Sequence, residues 1–116
     1  MPKFLIQASY TVEGFRGLRK DGASGRRDAV AQAIESLGGK LEAFYFGFGE
    51  YDAYVIAELP DNVAAARIGM AVASSGVAKT KTTVLLTTDE VDEALRGDMS
   101  AYRPPGSWSD EHSGTD

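Results

Sequence analysis

Gly38–Pro60 reads GGKLEAFYFGFGEYDAYVIAELP, and the fold turns on how this stretch is read. Aromatic and β-branched residues are dense in it, and Gly38-Gly39 and Pro60-Asp61 bracket it as breakers. The pattern predicts two strands, Lys40–Phe48 and Tyr51–Leu59, joined by a two-residue turn at Gly49-Glu50. With that turn, Phe48 faces Tyr51, Phe46 faces Ala53, Tyr45 faces Tyr54 and Phe44 faces Val55. One face then carries Phe44, Phe46, Phe48, Ala53 and Val55, with Leu59 nearby. The other carries Leu41, Tyr45, Gly47, Tyr54 and Ile56, with Asp52 and Glu58 at its ends. Neither face is polar enough to be left in water, so each needs cover.

Working outward, Lys3–Tyr10 alternates without a breaker and predicts a strand with Phe4, Ile6, Ala8 and Tyr10 on one face. Thr11–Lys20 has Val12, Phe15 and Leu18 at helical spacing, weakened by Gly14 and Gly17. Asp21–Gly25 reads as a loop, and Ser24 as the cap of a firmer helix to Leu37, stopped by Gly38-Gly39. Beyond the hairpin, Asp61 or Asn62 caps a helix over Val63–Ser75. Its small, apolar residues, including Ala66, Met70 and Ala73, predict cover on more than one side. Val77–Thr87 predicts a last strand, with Thr80, Thr82 and Val84 opposite Lys79, Lys81, Thr83 and Leu85. Thr87-Thr88-Asp89-Glu90 reads as a capping box opening a short helix to Arg96, with Val91, Ala94 and Leu95 inward.

The order is β-α-β-β-α-β plus a terminal helix, the ferredoxin-like α+β plan of a four-stranded antiparallel sheet with both helices on one face. The domain is expected over residues 1–96, with 97–116 a polar tail whose anchors are Tyr102, Pro104, Pro105 and Trp108. The sheet's second face needs a partner, and a second copy of the same sheet is the economical answer, giving a homodimer of the dimeric α+β barrel type or a higher homo-oligomer.

Composition narrows the function. The chain has 116 residues, 43% hydrophobic and 25% charged, which is one ordinary globular domain. No apolar run approaches the roughly 20 residues of a membrane span, and MPKFLIQASY is interrupted by Gln7, so neither a membrane role nor a signal peptide is expected. Cysteine is absent, which removes disulfides, thiol nucleophiles and thiolate metal sites and makes the cytoplasm the simplest location. Residues 87–116 hold eight acids against Arg96 and Arg103, whereas the first 86 hold nine acids and ten bases. A neutral body with an acidic tail gives nucleic acid nothing to bind.

The stretches KFLIQASYTVEGFRGL, GGKLEAFYFGFGEYDAYVIAELPDN, KTTVLLTTDEVDEAL and YRPPG resemble the GYD domain family, to about Gly106. The strongest element is Gly49-Glu50-Tyr51-Asp52. The resemblance implies a ferredoxin-like fold and a small bacterial protein; it implies no activity.

The candidate chemistry is sparse. Gly47–Asp52 starts a GxGxxG pattern but lacks the third glycine and a following helix, so a turn with a close-packed strand glycine is the better reading. His112 is the one histidine and sits in the tail beside Asp110 and Glu111, which argues against a Ser-His triad and makes a poor metal site; no metal and no cofactor are expected. Arg26 and Arg27 fall in the first turn of the second helical segment. They serve either an anion held at a helix N-terminus or a solvated face paired with Asp21 and Asp28, the plainer use. Tyr10, Tyr45, Asp52, Tyr54 and Lys81, with Gln7, Ser9 and Lys79, could line a small-ligand site between the sheet and its partner. The alternative is that the tyrosines fill the interface and set their hydroxyls at its rim. Asp52 reads either as a general base or as a lock that accepts backbone N–H bonds beside the turn, and the lock is the reading preferred. Three functions stay open: a ligand-binding domain, a cofactor-independent monooxygenase or isomerase, and a regulatory effector-binding module.

Overall fold

The expected strand Lys3–Tyr10 forms over those residues (β1) and lies inside the sheet, between a strand at Ala53–Glu58 (β3) and one at Ala78–Leu85 (β4). A strand at Lys40–Phe46 (β2) completes it, and the order β2-β3-β1-β4 is antiparallel throughout, as the ferredoxin-like plan requires. This computed structural model describes residues 1–106; Trp108, Asp110, Glu111 and His112 lie outside the described residues. The chain divides into two compact units, Met1–Leu86 and Thr87–Asp116.

Two helices lie on the core side of the sheet. The first, Val12–Ser36 (α1), is capped by the Thr11 hydroxyl, which accepts from the Gly14 N–H at 3.2 Å. The loop expected at Asp21–Gly25 does not form. A single kink at Gly22, with φ 78° and ψ 163°, is enough to redirect the helix, and Ser24 sits inside it instead of capping it. The second helix, Asn62–Ser75 (α2), starts at Asp61, whose carboxylate accepts from the Ala64 N–H at 2.9 Å, and stops at Gly76 in the left-handed region.

The core is Phe4, Ile6, Ile34, Val55, Ala57, Leu59, Ala64 and Ala65, with Val30, Leu37, Leu41, Phe44 and Ile68 packed around it. Leu41 belongs to this face, opposite to the expected one. The pairs Phe46↔Ala53, Tyr45↔Tyr54 and Phe44↔Val55 form as read, but the register shifts between Ala43 and Leu41, so that Leu41 meets Ala57. Glu42 is the extra residue of a β-bulge, and one inserted residue moves everything beyond it to the other face. Lys3 Nζ bonds both carboxylate oxygens of Glu42, at 2.9 and 2.8 Å, and this contact holds the Lys3 ammonium above its ordinary pKa.

The two-residue turn also gives way. Gly47–Asp52 is a six-residue connection, Phe48 is fully exposed, and the pairing Phe48↔Tyr51 is absent. The connection leans on β1: Ser9 Oγ donates to the Glu50 carbonyl at 2.9 Å, and the Asp52 N–H donates to the Ala8 carbonyl at 2.8 Å. Bonds to a neighbouring strand outweigh the local turn.

In the second unit, Thr88–Leu95 (α3) opens with the expected capping box: Thr87 Oγ1 accepts from the Glu90 N–H and Glu90 Oε1 from the Thr87 N–H. Those bonds hold the Glu90 carboxyl below its ordinary pKa. No residue of α3 is buried, so Val91, Ala94 and Leu95 are not the inward set expected. Two turns of helix among polar segments have no core of their own to face.

The start of α1 docks against the link between α2 and β4. The Thr11 N–H donates to the Val77 carbonyl at 3.0 Å and its hydroxyl to the Gly76 carbonyl at 2.8 Å. A Cβ at Gly14 would run into that Val77 oxygen and touch the Tyr10 ring, whereas Gly17 has open space. Gly14→Ala is therefore expected to cost about 1–3 kcal/mol by overpacking, and Gly17→Ala to gain about 0.5–1 kcal/mol from helix propensity. Urea unfolding of both variants checks the pair.

Candidate functional site

α1 packs on β2 and α2 packs on β4, the two outer strands of the sheet. Between the helices, over β1 and β3, an elongated cleft of about 440 Å³ remains. Its floor is Ile6, Ala8, Ala53, Val55, Ala78 and Thr80. One wall is Ala29, Val30, Ala33 and Ile34 from α1; the other is Ile68, Ala71, Val72 and Ser75 from α2. Half of these wall residues are alanine or serine, and the side chains leave the gap unfilled. Ala29, Ala33, Ala71 and Ser75 are exposed along its rim, and Met70 and Val63 of α2 are exposed beyond it. Among the described residues Ala66, Met70 and Ala73 of α2 are exposed, so α1 does not supply the cover expected for a second side.

Tyr10 and Arg26 belong to both this cleft and a smaller neighbouring cavity of about 160 Å³, formed with Gly14, Gly17, Leu18, Asp21 and Val77. Arg26 is the one charged side chain lining the cleft. Its guanidinium lies beside the Tyr10 hydroxyl, and with N–H donors and no acceptor it can only donate to that oxygen. Burial pushes the Tyr10 hydroxyl above the ordinary tyrosine pKa, and the neighbouring Arg26 partly offsets that. The Tyr10 ring stands edge-on to Phe15, with centroids 5.5 Å apart.

Asp52 fixes where this tyrosine starts. Its Oδ2 accepts from the Tyr10 backbone N–H at 2.8 Å, one step beyond the last β1–β3 pair, Ala8↔Ala53. The side chain thus continues the ladder after the backbone partners run out. It accepts a backbone N–H, as the lock reading requires, but the strand it locks is β1 and not the turn itself.

The seven candidate residues are not brought together. Tyr45, Tyr54 and Lys81 share one row across the outer face: Tyr45 pairs Tyr54, Tyr54 pairs Gln7 and Gln7 pairs Lys81. Tyr54 and Lys81 flank Gln7, about 10 Å apart across two strand spacings. Tyr10 lies on the other side of the sheet, with the cleft. Arg26 and Arg27 also separate, because successive helix residues point about 100° apart: Arg26 lines the cleft and Arg27 pairs with Asp28 at 3.3 Å in solvent. The cleft itself was missed. The signal available in the sequence was the matching run of small residues on both helices, Ala29 and Ala33 against Ala71 and Ser75.

A family model for the GYD domain matches residues 4–95, and the chain belongs to that family. No curated protein and no solved structure matches it. Among the described residues no group of three or more His, Cys, Asp or Glu side chains could hold a metal, and no helix is long and apolar enough to cross a membrane.

Two outcomes follow from the Asp52–Tyr10 arrangement. Asp52→Asn keeps an acceptor for the Tyr10 N–H and is expected to cost little, whereas Asp52→Ala is expected to cost about 1–2 kcal/mol; equal losses in chemical denaturation would contradict the lock. The raised Tyr10 pKa means the folded state holds this proton more tightly than the unfolded chain. Its stabilising effect is full below pH 10, the ordinary value, and is lost as pH rises through the folded pKa. Ultraviolet phenolate titration should therefore show a component above pH 10 that Tyr10→Phe removes.

Proposed function

We propose that this member of the GYD domain family is a homo-oligomeric small-molecule-binding domain whose ligand lies in the cleft between α1 and α2. The observation that carries this is the cleft: about 440 Å³, within the usual range of ligand sites, with largely apolar walls and a few polar groups at Tyr10, Arg26, Ser75 and Thr80. Alanine and valine surface around such a gap is costly to leave in water. A ligand burying it gains roughly 25 cal/mol per Å².

Binding is favoured over catalysis because the tyrosines and the lysine that would have to converge on a substrate lie on opposite faces of the sheet. Tyr10 is at the cleft, while Tyr45, Tyr54 and Lys81 are on the outer face. The outer face supports the second half of the proposal. Leu5, Tyr54, Ile56 and Leu85 lie on it half-buried, and within Met1–Leu86 both helices are on the other side. A second copy of the sheet is the cover this face suits.

Native mass spectrometry of the purified chain is expected to show a small molecule retained, and Ala71→Phe, which fills the cleft, to release it. Retention unchanged in Ala71→Phe would place the ligand elsewhere. Sedimentation equilibrium at micromolar concentration is expected to give a dimer or larger, shifted to monomer by Ile56→Glu; a stable wild-type monomer contradicts the assembly.

A further inference from the structure

We infer that the cleft selects an apolar monocarboxylate, with the acid group held between the Arg26 guanidinium and the Tyr10 hydroxyl and the hydrocarbon body lying along Ala29, Ala33 and Ala71. This rests on the cleft being the ligand site, as proposed above, and adds the chemical class of the ligand.

Three observations carry it. First, charge: Arg26 is the one charged residue lining the cleft and forms no ion pair among the described residues, whereas Arg16 and Arg27 are paired with Glu13 and Asp28. A half-buried cation facing an apolar cleft lacks an anion, and a single charge matches a carboxylate. A phosphate monoester would bring a second charge with no base to meet it. Second, donors: a carboxylate accepts at two oxygens, and the guanidinium presents a planar fork of N–H groups to them. A guanidinium has no acceptor for the Tyr10 O–H, so that hydroxyl is able to donate to the ligand beside it. Third, position: the pair stands where the cleft meets the smaller cavity, so the charge of the cleft sits there, and Ser75 and Thr80 are the other polar residues of an otherwise apolar lining. Asp21 lines the smaller cavity only, and Asp52 lines neither and is engaged by the Tyr10 N–H. An acid group is therefore drawn to the cleft side of Arg26, away from Asp21.

Three neighbours set the place of Tyr10. Phe15 stacks edge-on, Gly14 leaves room where a methyl would collide, and Asp52 secures the backbone. Arg26 reaches the same point from one turn past the Gly22 kink, so the kink sets which way the guanidinium arrives.

Isothermal titration calorimetry of the full chain with octanoate, 1-octanol, octylamine and octyl phosphate at neutral pH tests this. Octanoate is expected to bind roughly ten-fold or more tightly than octanol, as charged hydrogen bonds allow, and tighter than octylamine or octyl phosphate. Arg26→Gln should bring octanoate down to the octanol level and leave octanol unchanged. Tyr10→Phe should weaken octanoate alone, by a smaller factor. Circular dichroism confirms that both variants fold. Equal binding of octanoate and octanol, octyl phosphate tighter than octanoate, or octanoate binding that survives Arg26→Gln overturns the acid selection while leaving the cleft as the site. Failure of all four probes to bind, or binding that Ala71→Phe leaves intact, overturns the cleft reading itself.

Discussion

Two helices seated on opposite outer strands cannot close over the strands between them unless their side chains are long enough to meet. Here α1 rests on β2 and α2 on β4, and the residues that face across the gap are Ala29, Ala33, Ala71 and Ser75. The remaining properties of the unit Met1–Leu86 follow from that. The core is complete below Ile34 and around Phe4 and Leu59, which are fully buried. Above the central strands it is open. Protein interiors ordinarily pack to crystal-like density, so an unfilled channel of this size is a feature the fold maintains. Short side chains at the rim and the seating of the two helices on opposite outer strands both leave it open.

The Gly49–Asp52 segment connects to this cleft through hydrogen bonds to the end of β1. Asp52 does not itself line the cleft, yet its carboxylate holds the Tyr10 N–H and so sets the end of β1 from which the Tyr10 ring rises. Ser9 and Ala8 add two further bonds to the same connection. The loop is thereby part of the architecture that aims Tyr10 at Arg26. Gly49, with φ 140°, supplies a backbone angle that a side chain would resist. A motif that looks like turn chemistry in the sequence acts at a distance, as support for one residue of the site.

Much of the fold was legible because its signals are periodic. Lys3–Tyr10 alternates cleanly, and Asp61 and Thr87 are caps whose partners lie three residues on; each formed as read. The departures in β2 and at the turn come from interactions between segments distant in sequence, and the one in α1 from a single glycine. Glu42 bulges out of β2 where Lys3, thirty-nine residues away, grips both its carboxylate oxygens, and the shift carried Leu41 to the core. Gly22 replaced a five-residue loop with one kink, because a glycine can take a positive φ while its neighbours stay helical. The candidate site divided for the same kind of reason. Tyr45, Tyr54 and Lys81 share a parity that strand pairing preserves, so they stayed together. Tyr10 has the opposite parity and met Arg26, a partner that only the path of α1 could bring to it.

The central claim is that the space between α1 and α2 receives a small apolar molecule. Methyl NMR of the alanine-labelled chain, titrated with 1-octanol, addresses that claim most directly. The account predicts chemical-shift changes at Ala29, Ala33, Ala53, Ala71 and Ala78, which line the cleft, with Ala43 and Ala66 unmoved. Shifts confined to Ala43 on the outer face, or none at the cleft methyls at saturating probe, would contradict it.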